Sequence, residues 1–587
     1  MAGGICAHPH LSMSFAQRLS RSEEEATGFS GFAGVYTLGW GHMNAEENEG
    51  SRNSTASDAM GPSFARRDFR SALRPMALRF AVRRAPTSPL IRATRLLVAS
   101  IILLASYAWA IPPPAVTFNV NDNRDTVDLH TEDGLCLTVD GTCTLRAAVM
   151  AANHYIVGVK INLPAGVYTL HAPSGSDGDD TGDLNLVSVL NSPLVIIVGA
   201  GAASTIIDGN QTDGVFYIES DRTVNISGVT MRNGKTSSSG GAIYNFGTLA
   251  LTDVTILTNS AEYGGGLFNN GTAFVTRVAF NGNTAGYGGG IYNFGSLTIS
   301  QSSFDSNTSG FGAGLANYSS AVASLSHVTL IANKATSYGG GIYNGAELTV
   351  ADSTLSGNEA VNQGGGIYNS GGSPLEIARS TIMDGKAQQG AGVYNGGGMT
   401  VLNTTISQNT STGFGGGIGN SGEINVYNST IAYNTAGFGT GISGFGGGAS
   451  SSPGSTFNVR NTIVAANYSP ATGFYDDCNG TLSSYGVNRF LGGIYCVVNQ
   501  VGPGNHNGLV SLLEVGALKD NGGPTSTIAL KYYAFTDLID ALPLGCTDQF
   551  SITLATDQRG RPRTVGTYCD IGAFEYDPGD IFANGFQ

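Results

Sequence analysis

The chain has 587 residues, of which 85 are glycine and only 12% charged, with a net charge of −14. Acidity this mild and diffuse, with no basic patch and no aromatic RNA motif, argues against nucleic acid as a partner. None of the cysteines has zinc-ligand spacing, which argues against a structural metal.

In chain order, residues 1–75 are polar and irregular, without a strand pattern. They read as a disordered or mis-assigned extension ahead of a true start at Met76. From 76 to 110 the text is that of a signal peptide. Arg79, Arg83, Arg84, Arg92 and Arg95 precede the apolar run Leu96–Ala108, and Ala108-Trp109-Ala110 supplies small-x-small cleavage. The apolar run is shorter than the roughly 20 residues a membrane helix needs. The mature chain is therefore expected to be exported, without a transmembrane helix, and secreted or held at the cell surface or outer membrane. Its six cysteines fall as Cys136/Cys143, Cys478/Cys496 and Cys546/Cys569. An oxidising compartment would join them, with local pairing the expectation among the several possible.

Thr144 to His154 reads as a short amphipathic helix. Thr144 is its N-cap, and Leu145, Ala148, Val149 and Ala152 share one face. Asp177, Asp179, Asp180 and Asp183 cluster in a glycine-rich loop. Carboxylates at this spacing could hold Ca²⁺, and the alternative is a solvated insertion. No other cofactor is expected.

Residues 236–470 repeat a short sentence. A first Asn recurs at 245, 269, 293, 317, 344, 369, 395 and 420, a second at 259, 283, 307, 333, 358, 409 and 434, with Gly385 in that place once. A period of this length marks a solenoid. Gly339-Gly-Gly-Ile-Tyr-Asn344, Leu348-Thr-Val350 and Ser353-Thr-Leu355 each alternate apolar and polar residues, so each unit reads as three short strands. The fold class is all-β: a single-stranded parallel β-helix of ~24–27 residues per coil, right-handed by the general crossover preference. Stacked coils would fill the interior with Ile/Leu columns and align inward Asn rows into hydrogen-bonded ladders. The N-terminal helix and a disulfide-bearing C-terminal module would cap its ends.

Columns between coils show what faces outward. Asp253, Arg277, Gln301, His327, Asp352, Arg379, Asn403 and Asn428 form one polar column. Lys334, Glu359 and Lys386 alternate in sign in another. Two columns are aromatic. Tyr263, Tyr287, Phe311 and Tyr338 stand before the glycines; Tyr244, Phe268, Tyr292, Tyr343, Tyr368 and Tyr394 stand after them. They flank a strip without side chains. Either the rings shield that backbone, or they make a long shallow platform for a glycan or an extended partner.

Several stretches resemble known families. Cys143-Thr-Leu-Arg-Ala-Ala148 and the text after it, over 111–235, resemble the CSLREX N-terminal domain, with Thr144 and Ala147 replacing its Ser and Glu. Gly240-Gly-Ala-Ile243, Phe280-Asn-Gly-Asn283 and Phe304-Asp-Ser-Asn307 resemble polymorphic outer-membrane-protein (Pmp-like) repeats. Asn521-Gly-Gly-Pro-Thr-Ser-Thr-Ile-Ala-Leu530, Asp557-Gln-Arg-Gly-Arg-Pro-Arg563 and Cys569-Asp-Ile-Gly-Ala-Phe-Glu575 resemble the choice-of-anchor Q domain, here 471–580, leaving 581–587 as a tail. The resemblance implies a surface β-helix protein linked to adhesion. The expected function is binding of glycans or cell-surface and envelope components by a monomer, with no catalytic residues. The alternatives are a polysaccharide lyase or glycoside hydrolase on the same scaffold, or an inert envelope scaffold. Carboxylates do not align on adjacent coils of 240–470, as paired acid catalysis would need.

Overall fold

A computed structural model describes residues 114–171, 182–187, 194–437, 442–444, 455–491, 495–501, 506–509, 514–531, 537–543, 545–548 and 552–579, with backbone alone at 442–444, 495–496 and 506–509. The expectations for 1–110, for Asp177, Asp179 and Asp180, and for the tail lie outside these residues.

The chain winds as a parallel β-solenoid. Each strand pairs in register with its copy one coil on: Ile342↔Ile367, Tyr343↔Tyr368 and Asn344↔Asn369 along one line, Leu348↔Leu375 along the next, Thr354↔Thr381 along the third. The inward Ile/Leu column is apolar; Ile243, Leu267, Ile291, Leu315, Ile342 and Ile367 are all fully buried. A fourth line corrects the three-strand reading. Ser260–Tyr263, Thr284–Tyr287, Thr308–Phe311 and Lys334–Tyr338 open a separate seven-stranded sheet. Its strands hid because they are short and point only Ala or Ser inward, so they carry little apolar alternation.

Both Asn rows form ladders in the buried interior. In the first, Asn317 Nδ2 donates to Asn344 Oδ1 at 2.9 Å and Asn344 Nδ2 to Asn369 Oδ1 at 2.8 Å. In the second, Asn333 Oδ1 accepts from both the backbone N–H and Nδ2 of Asn307, at 3.1 and 2.9 Å, while its own Nδ2 reaches Asn358 Oδ1 at 2.9 Å and Phe304 O at 3.0 Å. Gly385 interrupts this ladder, yet its N–H still donates to Asn409 Oδ1 at 2.9 Å. A third row is made of hydroxyls. Val328 N donates to Ser353 Oγ at 3.0 Å, Ser353 N to Ser380 Oγ at 3.2 Å, and Ser380 N to Thr404 Oγ1 at 3.3 Å. These side chains satisfy amides that the bends take out of the strand pairing.

Coil corners are left-handed. In one coil these are Gly339 (φ +68), Asp352 (φ 52) and Gly357 (φ +62). The polar column is the second corner, so Arg277 and His327 hold a conformation that costs a non-glycine residue about 1 kcal/mol. Stacking on both sides fixes it. Lys334 and Glu359 pair at 3.7 Å and Arg379 with Asp352 at 2.7 Å, in the expected alternation of sign.

At the N-terminal end the helix is Leu145–Asn153, with Thr144 accepting from Ala147 N at 3.1 Å. It packs on the strands Val159–Leu163 and Leu184–Leu186. Arg146, buried, pairs with Asp125 at 2.7 Å, and Arg222 Nη2 donates to Ala152 O at the helix C-terminus at 3.2 Å. Cys136–Cys143 and Cys546–Cys569 are disulfides. Cys478 is also disulfide-bonded. The Cys496 side chain lies outside the described residues, and its backbone pairs with Gly480.

The first part of the expected C-terminal module, Cys478–Tyr485 and Val487–Phe490, adds parallel strands to the end of the solenoid, and the rest, from 514 on, does not sit over that end. It packs against the side of the late coils. Leu538, Ile571 and Phe574 share a core with Ala378, Leu402, Tyr427 and Ile463. This placement also corrects the outward reading of Asn403 and Asn428, which are 3% and 0% exposed. Asn403 Nδ2 donates to Thr556 O at 2.9 Å, and Arg563 Nη2 to Asn403 Oδ1 at 2.6 Å. The module's arginines are buried beside its carboxyl groups: Arg559 pairs with Asp557 at 2.8 Å, and Arg563 lies 3.6 Å from Glu575.

Two predictions follow the ladders and the docked module. Asn333→Ala leaves the buried Asn307 N–H without its acceptor and removes one bond each from Asn307 Nδ2, Asn358 Oδ1 and Phe304 O. It should cost about 2–4 kcal/mol in denaturant unfolding, while exposed Lys334→Ala stays within about 0.5 kcal/mol. In the module, burial and the neighbouring Asp570 push Glu575 up to about 8. A folded-state value above the unfolded one means stability that is full below the ordinary carboxylate value and is lost as pH rises from there through about 8. Glu575→Gln keeps an oxygen for the Asp570 N–H (3.1 Å in the parent), so it should flatten this loss and raise the unfolding midpoint at alkaline pH. An unchanged pH slope would show that Glu575 does not carry it.

Candidate functional site: the aromatic face

The two aromatic columns come together as one array over the glycine corner. Along the column after the glycines, ring centroids stand 5.5 Å apart for Phe268–Tyr292, 5.2 Å for Tyr343–Tyr368 and 5.6 Å for Tyr368–Tyr394. Tyr244 meets Phe268 edge-on at 4.8 Å. In the other column Tyr263–Tyr287 and Tyr287–Phe311 stack at 5.3 and 4.8 Å, and Tyr338 follows Phe311 at 5.7 Å. Edge-to-face contacts join the columns, as in Tyr263–Tyr292 at 5.3 Å and Phe311–Tyr343 at 5.9 Å. All are within the range where aromatic pairs attract. Beyond Tyr338 the second column continues as an amide pair, Gln363 Nε2 to Gln389 Oε1 at 2.8 Å.

The glycines beneath are required. A Cβ on Gly265 would stand 2.5 Å from Thr284 O and 2.6 Å from Gly289 O. Coils approach too closely there for any side chain, and the rings cover the exposed backbone from both flanks.

Four rings of this face fall outside the two predicted columns. Ala316 should break the array, but Tyr318 fills its place, 5.5 Å from Tyr292 and 4.9 Å from Tyr343. Tyr217 extends the array by one coil, 5.7 Å from Tyr244. Phe246 packs 4.7 Å from Tyr244. Phe294, on the Tyr292 strand's exit, is 42% exposed. Phe246, Phe294 and Tyr318 each directly follow a first Asn, and that shared offset is the signal that could have found them.

Stacking decides what the face can offer. Rings inside a column spend their faces on neighbours and present edges and hydroxyls outward. The least covered rings are Phe294 and Tyr263, which is 36% exposed and stacks on Tyr287 by one face. Burial pushes the Tyr292 and Tyr368 phenols up to about 12, and the Tyr318 phenol well above its ordinary range.

At its N-terminal end the face opens into a cavity of about 920 Å³ lined by Asp183, Asp213, Glu219, Lys235, Tyr217 and Tyr244. Gly182 touches Asp213: a Cβ there would lie 2.5 Å from its Oδ2. Asp183 is thus brought to a carboxylate on the next coil, and not to a cage of metal size. Among the described residues, the only Cys/His/Asp/Glu group that close is Cys546, Cys569 and Glu575, whose cysteines are disulfide-bonded. His327 is exposed and shares a hydrogen bond with Ser326 Oγ at 2.9 Å. Among the described residues no helix is long and apolar enough to cross a membrane.

No family model matches the chain, and no curated protein is similar to it. Its class is set by architecture: it is a parallel β-solenoid, and solved structures share that plan. Pectate lyase Pel9A is 14% identical over 80% of this chain and 98% of the lyase, with a TM-score of 0.30. The A-module of the Azotobacter vinelandii mannuronan C-5 epimerase AlgE4 is 14% identical over 62% of this chain and 95% of that module, at 0.29. The PL6 family alginate lyase AlyGC is 11% identical over 73% of this chain and 56% of its own, at 0.34. The likeness is one of fold, and no site residue is carried across by it.

If the array is one packed unit, Tyr318→Ala opens a gap on both sides. Phenolate absorbance should then show Tyr292 ionising nearer its ordinary value than in the parent. An unshifted titration would mean that Tyr318 does not bury its neighbour.

Proposed function

We propose that this protein binds extended glycans, as an exported surface protein, through its aromatic face. The observation carrying the reading is the array itself. It runs unbroken from Tyr217 to Tyr394, replaces a missing ring with Tyr318, and leaves Phe294 and Tyr263 exposed to solvent. Packing alone does not ask for exposed rings at those two places. A sugar's apolar face can stack on them while its hydroxyls meet the phenols and the backbone beside them. Carboxylates border the rings, Glu262 beside Tyr263 and Asp183, Asp213 and Glu219 at the N-terminal end, which suits neutral glycans better than uronates.

A second reading, cleavage of a bound glycan, draws on the cavity at the N-terminal end. There Asp183, Asp213 and Glu219 stand beside Tyr217 and Tyr244, and glycoside hydrolysis uses paired carboxylates.

One assay separates the two. The full chain is passed over immobilised neutral and acidic polysaccharides, and retention and new reducing or unsaturated ends are followed together. Binding predicts retention on neutral polymers that Phe294→Ala with Tyr263→Ala weakens at least about tenfold, the loss of about 1.4 kcal/mol or more, with no new ends. New ends abolished by Asp213→Asn would establish the second reading instead. No retention on any polymer would discard the first.

A further inference from the structure

The solenoid has a second surface, on the side where the C-terminal module docks. In the late coils the corner column and the residue two positions after it hold the module by its main chain. Thr381 Oγ1 donates to Ser526 O at 2.5 Å, Asn403 Nδ2 to Thr556 O at 2.9 Å, and Asn428 Nδ2 to Thr547 O at 3.1 Å. Thr430 Oγ1 accepts from Ala573 N at 3.1 Å. The chemistry of this face is recognition of polypeptide backbone by hydroxyl and amide side chains.

The same columns continue, uncovered, along the earlier coils. Asp253, Arg277, Gln301 and His327 stand in the corner column, with Ser303 and Thr329 in the position of Thr381 and Thr405. They line a shallow groove of about 750 Å³. Its length, from Gly228 to Thr329, spans about five coils at roughly 4.8 Å each, enough for about six residues of extended chain.

We propose that this groove binds an extended, polar, hydroxyl- and amide-rich polypeptide segment of a partner through that segment's main chain. Three observations choose this occupant. The groove is continuous with an interface in which the same columns already grip backbone. It is electrically closed, since Arg277 is held bidentately by Asp253 at 2.7 and 2.9 Å; an acidic polysaccharide would find no free guanidinium there. Its lining has no aromatic ring on which a neutral sugar could stack. A second copy's C-terminal module does not suit it. The residue preceding the corner is Ala378, Leu402 or Tyr427 where the module buries its apolar side, and Thr252, Thr276, Ser300 or Ser326 along the groove. The open half therefore offers hydroxyls where the module needs apolar cover.

The test uses the full chain and a fluorescent synthetic peptide of polar composition, Ser-Thr-Asn-Ser-Gln-Thr-Asn-Ser, with binding read by anisotropy. Saturable binding is expected. Gln301→Ala combined with Thr329→Val should weaken it at least about tenfold, or about 1.4 kcal/mol. Asn403→Ala, in the covered half, and Phe294→Ala, on the aromatic face, should leave it unchanged. Gln301 is exposed, and the unfolding midpoint of the double variant confirms its fold. Absence of saturable binding would overturn the proposal. So would binding lost only in Asn403→Ala, which would place the peptide in the module's own seat. Competition by cellohexaose sensitive to the groove variant would overturn it in favour of a glycan site.

Discussion

The amide-to-amide hydrogen bond between equivalent asparagines on successive coils is the constraint on which the rest depends. Each coil alone would leave its corner N–H groups unpaired inside an apolar column. A buried unpaired amide costs about 1–3 kcal/mol. Stacking identical residues in register satisfies them with the same side chain every time. Asn333 serves the coil before it with one oxygen and the coil after it with one nitrogen. A one-residue slip would turn every such Asn outward and every outward residue into the core. The ladders thus hold register as well as the coils.

Close stacking has a consequence on the outside. Coils that approach within a backbone diameter leave room only for glycine at one corner, and glycine leaves backbone open to water. Rings from both flanks fold over that seam. Because they stand one coil apart, they stack, and stacking turns most of their faces inward to one another. What remains for recognition is a narrow set of rings that the packing does not consume. The aromatic columns were correctly placed by sequence, but as a group they are a cover first, and only particular members are free to be a platform.

The lateral seat of the C-terminal module divides another column in two. From Asp253 to His327 the corner residues meet solvent; Asn403 and Asn428 meet the module's carbonyl groups. The same positions in the repeat therefore serve different roles according to where along the axis they fall. The substitutions that mark the change, Ser326 to Ala378, Leu402 and Tyr427, are small enough to look like ordinary drift within a repeat.

Much of this was legible in advance. The fold class, the two Asn ladders, the capping helix on Thr144, the Cys136–Cys143 and Cys546–Cys569 pairs and both ring columns were readable, because a repeat shows each position many times and periodicity separates inward from outward. The fourth strand line was not, since Ala285 and Ser309 give no apolar signal. Nor were the left-handed corners at Arg277 and His327, where no glycine announces them.

The sequence by itself determined everything that repeats: coil length, core columns, ladders and the glycine seam, for these follow from local pattern and from stacking like on like. Tertiary structure alone decided what does not repeat. It set Tyr318 in the place of Ala316, brought Asp183 beside Asp213, and laid the module along the flank over Asn403 and Asn428. Those contacts join residues distant in sequence through shape and burial, and no period records them.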